Sequence, residues 1–245
     1  MSKYYKYKKS RKKNYRKLFR FLSLVISLLG VLGIIYVFLP LISWQIYFAP
    51  IAASQTITAP IPRTTIVSSS TIQSLLTDAI SGVDYTNAQN WFPSYSTKNV
   101  NNKVSFFTLS IPKLGIKDAV VSTIDNDLGS HLVNYGGTAL PPDNGTSVIF
   151  GHSTLPQWFN PKDYRAIFAT LYTLTTGDEF FVNVEDIEYK YKIHNVKVVD
   201  PTDTSIFTQD YDTSHIALVT CTPPGTTWKR LVLSAKLEKI YTARL

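Results

Sequence analysis

The chain has 245 residues, 44% apolar and 13% aromatic, enough to build a core and to exclude wholesale disorder. Its formal net charge of +8 points to nucleic acid or a membrane surface only until the charge is located. Residues 1–63 hold eleven Lys and Arg and no acid, leaving fourteen basic against seventeen acidic residues from 64 onward, a mildly acidic body that excludes a polyanion-binding domain.

Residues 1–20 form a basic tail, Lys3 to Arg20, interleaved with Tyr4, Tyr5, Tyr7 and Tyr15. Such a mixture can stack on nucleic acid, but the next segment of the chain decides against it. Phe21 to Leu39 is a charge-free run rich in Leu, Ile and Val that ends at Pro40. At 1.5 Å per residue it spans roughly 28 Å, close to the hydrocarbon thickness of a bilayer. A transmembrane anchor over 21–43 is therefore expected, with Trp44 and Tyr47 suited to the far interface. With the basic residues on its N-terminal side, the positive-inside rule puts the tail in the cytoplasm and the body outside. A cleaved signal peptide is the competing reading, since Ala49, Ala52 and Ala53 are small, but its apolar region is typically shorter than this one.

Residues 44–103 read as an extracytoplasmic linker of Ser, Thr, Ala, Ile, Asn and Pro. Within it Ile72, Leu75, Leu76, Ala79 and Ile80 recur at helical spacing, which predicts a short helix over 71–81. Asn90-Trp91-Phe92-Pro93 is either an aromatic patch folded back on the domain or part of a membrane-proximal stalk, and a lid over 84–96 has no confident motif behind it. From Val104 the texture changes. Val104–Ile111, Ile116–Val121, Ser147–Phe150, Phe180–Val184, Glu188–Val199, Ile216–Cys221 and Leu231–Leu237 read as strands separated by Pro and Gly turns. One helical segment is expected between Pro161 and Thr173. The fold class is mainly β: a seven- to eight-stranded barrel over 104–241 with one or two short helices, behind a single N-terminal membrane helix.

Cys221 is the only cysteine, in a chain expected to face an oxidising compartment, so it makes no internal disulfide. It is either a small buried hydrophobe or a reactive thiol. It ends an apolar strand and runs into Pro223-Pro224-Gly225, a position at a rim rather than in a core. Nine residues later Arg230 opens the next strand, and a short loop between adjacent strands brings both to one end of the sheet. Of the four histidines, His131 lies in a loop, and His194 and His215 read as surface residues. His152 comes directly after the apolar strand Ser147–Phe150 and Gly151, capping a strand end as Cys221 does. No histidine is spaced for zinc, and the acidic stretch 178–188 reads as a solvated edge rather than a calcium site, so no metal and no cofactor is expected.

Hydrophobic-Gly151-His152, about 70 residues, Leu218-Val219-Thr220-Cys221-Thr222-Pro223 and then Arg230 together resemble the sortases, membrane-anchored cysteine transpeptidases of bacterial surfaces. The resemblance spans roughly 105–240. It takes in Leu109–Ile116, Asn134–Pro141, Leu174–Asp178 and Val198–Pro201. It implies Cys221 as nucleophile, His152 as general acid and Arg230 as the group that binds a substrate carbonyl or oxyanion. Thr220, beside the thiol, is carried over as a substrate-binding residue. It implies cleavage of a Leu-Pro-x-Thr-Gly-like signal between Thr and Gly through a thioacyl-enzyme. The partners implied are proteins with C-terminal sorting signals and an amine acceptor, either a cell-wall precursor or a pilin lysine. Two features depart from the family. Ala217 stands where Thr usually opens the catalytic strand, and no second apolar span follows Leu237, unlike many pilus-polymerising members. The Cys-to-Arg spacing resembles the pilin-type and related accessory classes. A catalytically silent, anchored binding domain is the alternative from a different class. An L,D-transpeptidase fits less well, because its cysteine closely follows Ser-His-Gly.

Overall fold

The structure is a computed structural model that describes residues 19–36, 83–95 and 104–241. Phe19–Tyr36 form one helix of 18 residues with a mean hydropathy of 2.1, long and apolar enough to cross a bilayer. The helix expected over 71–81 lies outside the described residues.

Eight strands close into a barrel in the order β1-β2-β3-β4-β7-β8-β6-β5. They are β1 (Phe106–Ile111), β2 (Ile116–Ser122), β3 (Leu132–Asn134), β4 (Gly145–Phe150), β5 (Glu179–Val184), β6 (Ile187–Val199), β7 (Ser214–Thr222) and β8 (Lys229–Tyr241). Most neighbours are antiparallel, but β2 pairs with β3 and β4 with β7 in parallel. Alternation follows from a barrel with one face inside: β1 and β5 bury every second residue. β7 differs, burying all nine of its residues. It lies between β4 and β8, and its run Ile216-Ala217-Leu218-Val219 has the unbroken apolar character of a strand covered on both faces.

All seven strands expected from the sequence are present, with ends moved by a few residues. β3 is the eighth, and its three residues are too few to show a period. The helix expected between Pro161 and Thr173 is instead a run of tight turns ending in a 3-10 turn at Leu171–Thr173. Amide-to-carbonyl bonds there step back three residues, as from Ala166 to Asp163 and Ala169 to Ala166. The Phe168 amide donates out of the segment altogether, to the His152 carbonyl at 3.0 Å, so an α-helical ladder cannot form through it.

The segment 83–95 belongs to the barrel's core. A 3-10 turn at Ala88–Trp91 is capped by the Asn87 side chain, which accepts from the Gln89 amide. The Ala88 amide donates to Asn126 O at 2.9 Å and the Leu128 amide to Thr86 O at 2.8 Å, fastening the segment to the β2–β3 connection. Ala88, Trp91 and Phe92 are fully buried, in one packed cluster with Tyr135, Phe150, Phe207 and Cys221. The aromatic patch therefore folds back on the domain.

Candidate active site

Cys221 and Arg230 sit directly opposite each other in the β7–β8 ladder, where facing side chains lie about 5 Å apart at Cβ. The hairpin between them positions both: Thr226 closes it by donating its amide and its hydroxyl to Pro223 O, and Gly225 turns it with φ of +79°. The chain after His152 abuts this hairpin, since a Cβ on Gly225 would lie 3.0 Å from the Leu155 side chain.

His152 arrives from β4. The Gly151 amide donates to Val219 O at 3.1 Å, extending the parallel β4–β7 pairing by one step. Gly151 is required by crowding, because a Cβ there would lie 2.5 Å from the Phe168 ring and 2.6 Å from Leu132. On either side of the histidine the two strands are joined again: the Thr220 hydroxyl donates to Gly151 O at 2.7 Å, and the Ser153 hydroxyl donates to Cys221 O at 2.9 Å. The imidazole is thus carried at the same strand end as the thiol and the guanidinium.

Trp91 joins the three. Its ring lies 5.6 Å from the His152 ring, the Arg230 guanidinium carbon lies 5.3 Å from its centroid, and it packs in the same cluster as Cys221. Its indole nitrogen donates to Tyr85 O, so the ring is held in place by its own segment. The sequence places Cys221 at a rim. The structure agrees on the strand end, but Cys221 is only 5% exposed, packed in one cluster with Trp91 and Phe92 of the segment 83–95. No local pattern announces that cover, because Trp91 and Arg230 are 139 residues apart.

Arg230 is 1% exposed. Its Nη1 donates to the carbonyls of Thr227 at 2.8 Å and Lys229 at 3.2 Å, and its Nη2 donates to Trp91 O at 3.1 Å. Among the described residues Nε has no hydrogen-bond partner. Phe92 offers the cation a second aromatic face at 5.8 Å. Carbonyls and rings are weak counterparts for a buried charge, which is normally matched by an anion. This side chain has unused capacity for a negatively charged or strongly polarised oxygen.

Burial pushes the Cys221 thiol up from its ordinary value, and the Arg230 charge opposes that only in part. Burial also holds His152 below its ordinary value, helped by Arg165 and opposed by Asp127 and Asp84. With the cover in place, the site favours a neutral thiol beside a neutral imidazole.

The remaining sequence assignments resolve individually. Thr220, read as a substrate-binding residue, is 2% exposed, and its hydroxyl is committed to Gly151 O. His194 is exposed as expected. His215 is buried instead, its Nε2 2.6 Å from the Asp212 carboxylate, because all of β7 is covered. In the acidic stretch, Asp178 pairs with Lys113 at 2.7 Å and Glu179 with Lys190 at 3.1 Å. Ser153 is the site residue that sequence reasoning misses, and its position immediately after a strand-ending histidine is the available signal.

A family model described as "Sortase domain" matches residues 109–238. Among curated proteins, Sortase D of Bacillus subtilis is 29% identical over 153 residues, covering 58% of this chain and 72% of that protein. Sortase A of Listeria monocytogenes is 28% identical over 138 residues, covering 50% of this chain and 59% of the relative. Among solved structures, Sortase C-3 of Streptococcus pneumoniae superposes with a TM-score of 0.51 at 22% identity, covering 71% of this chain and 86% of that one. Sortase A of Corynebacterium diphtheriae gives 0.50 at 22% identity, covering 69% and 83%. At these identities the solved structures speak to the fold.

Proposed function

The chain belongs to the sortase family of transpeptidases, and on that premise we propose that it cleaves a Leu-Pro-x-Thr-Gly-like sorting signal between Thr and Gly and transfers the acyl part to an amine. The observation that carries this reading is the buried Arg230, which faces the only thiol of the chain and forms no ion pair among the described residues. The Cys221 thiolate attacks the Thr carbonyl carbon, and the oxygen that gains charge is received by the Arg230 N–H groups now given to carbonyls. Donors of this kind contribute about 2.7–4 kcal/mol to a transition state. The C–N bond then breaks, and protonated His152 supplies the proton that lets the glycine amine leave. An incoming amine, from a cell-wall precursor or a pilin lysine, attacks the thioester, gives its proton to His152 and releases the thiolate.

For substrate to reach the sulfur, residues 83–95 must swing away. The cover then acts on the chemistry as well as on access. An ordinary thiol near pKa 8.5 is only about 3% thiolate at pH 7, and in the covered state the thiol is held higher still. Displacing Trp91 admits water, lowers that penalty and frees Arg230 Nη2 for the substrate oxygen. The apolar helix keeps the domain at the membrane, with the basic tail inside and the barrel outside.

The sealed sulfur also suits a silent, anchored binding domain, and one experiment separates the two. Incubating the full-length protein with a library of sorting peptides should give a thioacyl adduct by mass spectrometry. Cys221→Ala should abolish it, since the chain has no second thiol. Peptide cleavage by Cys221→Ala protein, or a wild-type thiol that forms no adduct with any peptide, would overturn the proposal.

A further inference from the structure

Beyond the three reacting groups, the structure assigns a positioning role to Ser153: we propose that its hydroxyl and that of Thr220 form a cross-strand staple that aims the His152 imidazole at Cys221. The proposal rests on the transpeptidase reading. β4 and β7 run in parallel as far as Phe150 opposite Val219, and one more backbone bond extends the pairing, from the Gly151 amide to Val219 O. Beyond that point the strands are held by side chains. The Thr220 hydroxyl reaches back to Gly151 O at 2.7 Å, and the Ser153 hydroxyl reaches across to Cys221 O at 2.9 Å. The carbonyl of His152 itself receives the Phe168 amide at 3.0 Å. Three consecutive carbonyl or hydroxyl anchors therefore bracket one imidazole, and one of them ends on the peptide group of the nucleophile.

The staple matters most once the cover has moved. In the covered state Trp91 packs against the imidazole, with ring centroids 5.6 Å apart. Displacement removes that contact, and the anchors on 151–153 remain to hold the ring at the strand end that carries the thiol. A reacting group misplaced by about 1 Å loses roughly 100-fold in rate, so two hydroxyls 68 and 69 residues distant from their acceptors carry weight out of proportion to their size. Removing either also leaves a buried carbonyl short of a donor.

The test uses the full chain in detergent, with Ser153→Ala, Ser153→Thr and Thr220→Val. Two quantities are read: the kinetics of sorting-peptide turnover, and the NMR titration of His152, one of four histidines, assigned with His152→Gln. Ser153→Ala should lower kcat roughly 10- to 100-fold at unchanged KM. It should also move the His152 titration up toward an ordinary imidazole, as burial and Arg165 cease to act on a fixed ring. Ser153→Thr, which restores the hydroxyl, should recover both. Thr220→Val keeps the side-chain shape and should repeat the effect, providing a second reading if Ser153→Ala folds poorly. Wild-type kcat together with a wild-type His152 titration in both hydroxyl-lacking variants would overturn the staple. Read also in a Trp91→Ala background, where that ring contact is gone, the titration needs no substrate and decides the staple even if no peptide is turned over, an outcome that counts against the transpeptidase reading instead.

Discussion

β7 and β8 pair a titratable side chain with a cation at each end of their ladder, and the two ends are built differently. Near the start of β7, His215 faces Lys236. The Asp212 carboxylate meets both, at 2.6 Å from His215 and 3.3 Å from Lys236, and it is exposed. The hydrogen bond from His215 and the pairing with Lys236 hold the Asp212 carboxyl down to about 2. At the other end Cys221 faces Arg230, six residues along each strand, and among the described residues Arg230 forms no ion pair, the nearby Asp200 carboxylate being taken by Lys229. There the cation has carbonyls, two aromatic faces and a nitrogen with no partner. A finished ion pair at a solvated edge calls for no ligand, whereas an unmatched buried cation beside a thiol is a site waiting for one. A chemical role thus follows from what the charge lacks.

The sharpest way to break this comparison is to change one charged group at each end. Arg230→Lys should lower sorting-peptide turnover roughly 100-fold or more, because a point ammonium cannot reproduce a planar fork of donors. Removing the matched carboxylate at the far end, Asp212→Asn, should leave turnover within about twofold, as for most exposed pairs. Comparable losses in the two variants, measured by the same peptide assay, would erase the distinction.

Trp91→Ala sharpens the comparison from the cover's side. A large buried aromatic holds the segment down, and losing it costs about 3–5 kcal/mol of packing. Labelling of Cys221 by a small vinyl sulfone should accelerate at least roughly tenfold, and an unchanged labelling rate would show that the segment does not control access.

Smaller and graded is the effect of pH on the cover. His152 titrates lower when covered than when free, so the displaced state binds the extra proton and covering weakens as pH falls below the ordinary value of 6.5. The Cys221 thiol titrates higher when covered, so the covered state keeps a proton that the displaced state loses, and covering weakens again as pH rises past 9.0. Amide exchange in residues 84–95, corrected for its intrinsic pH dependence, should show greatest protection between those values. Protection that varies in one direction only would remove one of the two groups from the account.

How much of this is legible in the sequence depends on distance along the chain. The apolar span, seven of the eight strands and the Cys221–Arg230 pair follow from composition, period-two patterning and one short Pro/Gly hairpin, each contained within a few tens of residues. His152 is recognisable because Gly151 and an apolar strand precede it. The burial of His215 is not legible, since it depends on what covers β7. Nor is the failure of the helix over 161–173, where the Phe168 amide is drawn to the carbonyl of His152. Local patterns report how a segment would satisfy itself. They do not report which distant partner will displace that solution. The sequence alone therefore determined most of the strands, the apolar helix and the candidate reacting side chains. Only tertiary structure decided that Trp91 packs against Arg230 and that Ser153 and Thr220 bind β4 to β7, because those contacts join residues 68 to 139 positions apart and exist only once the barrel has closed.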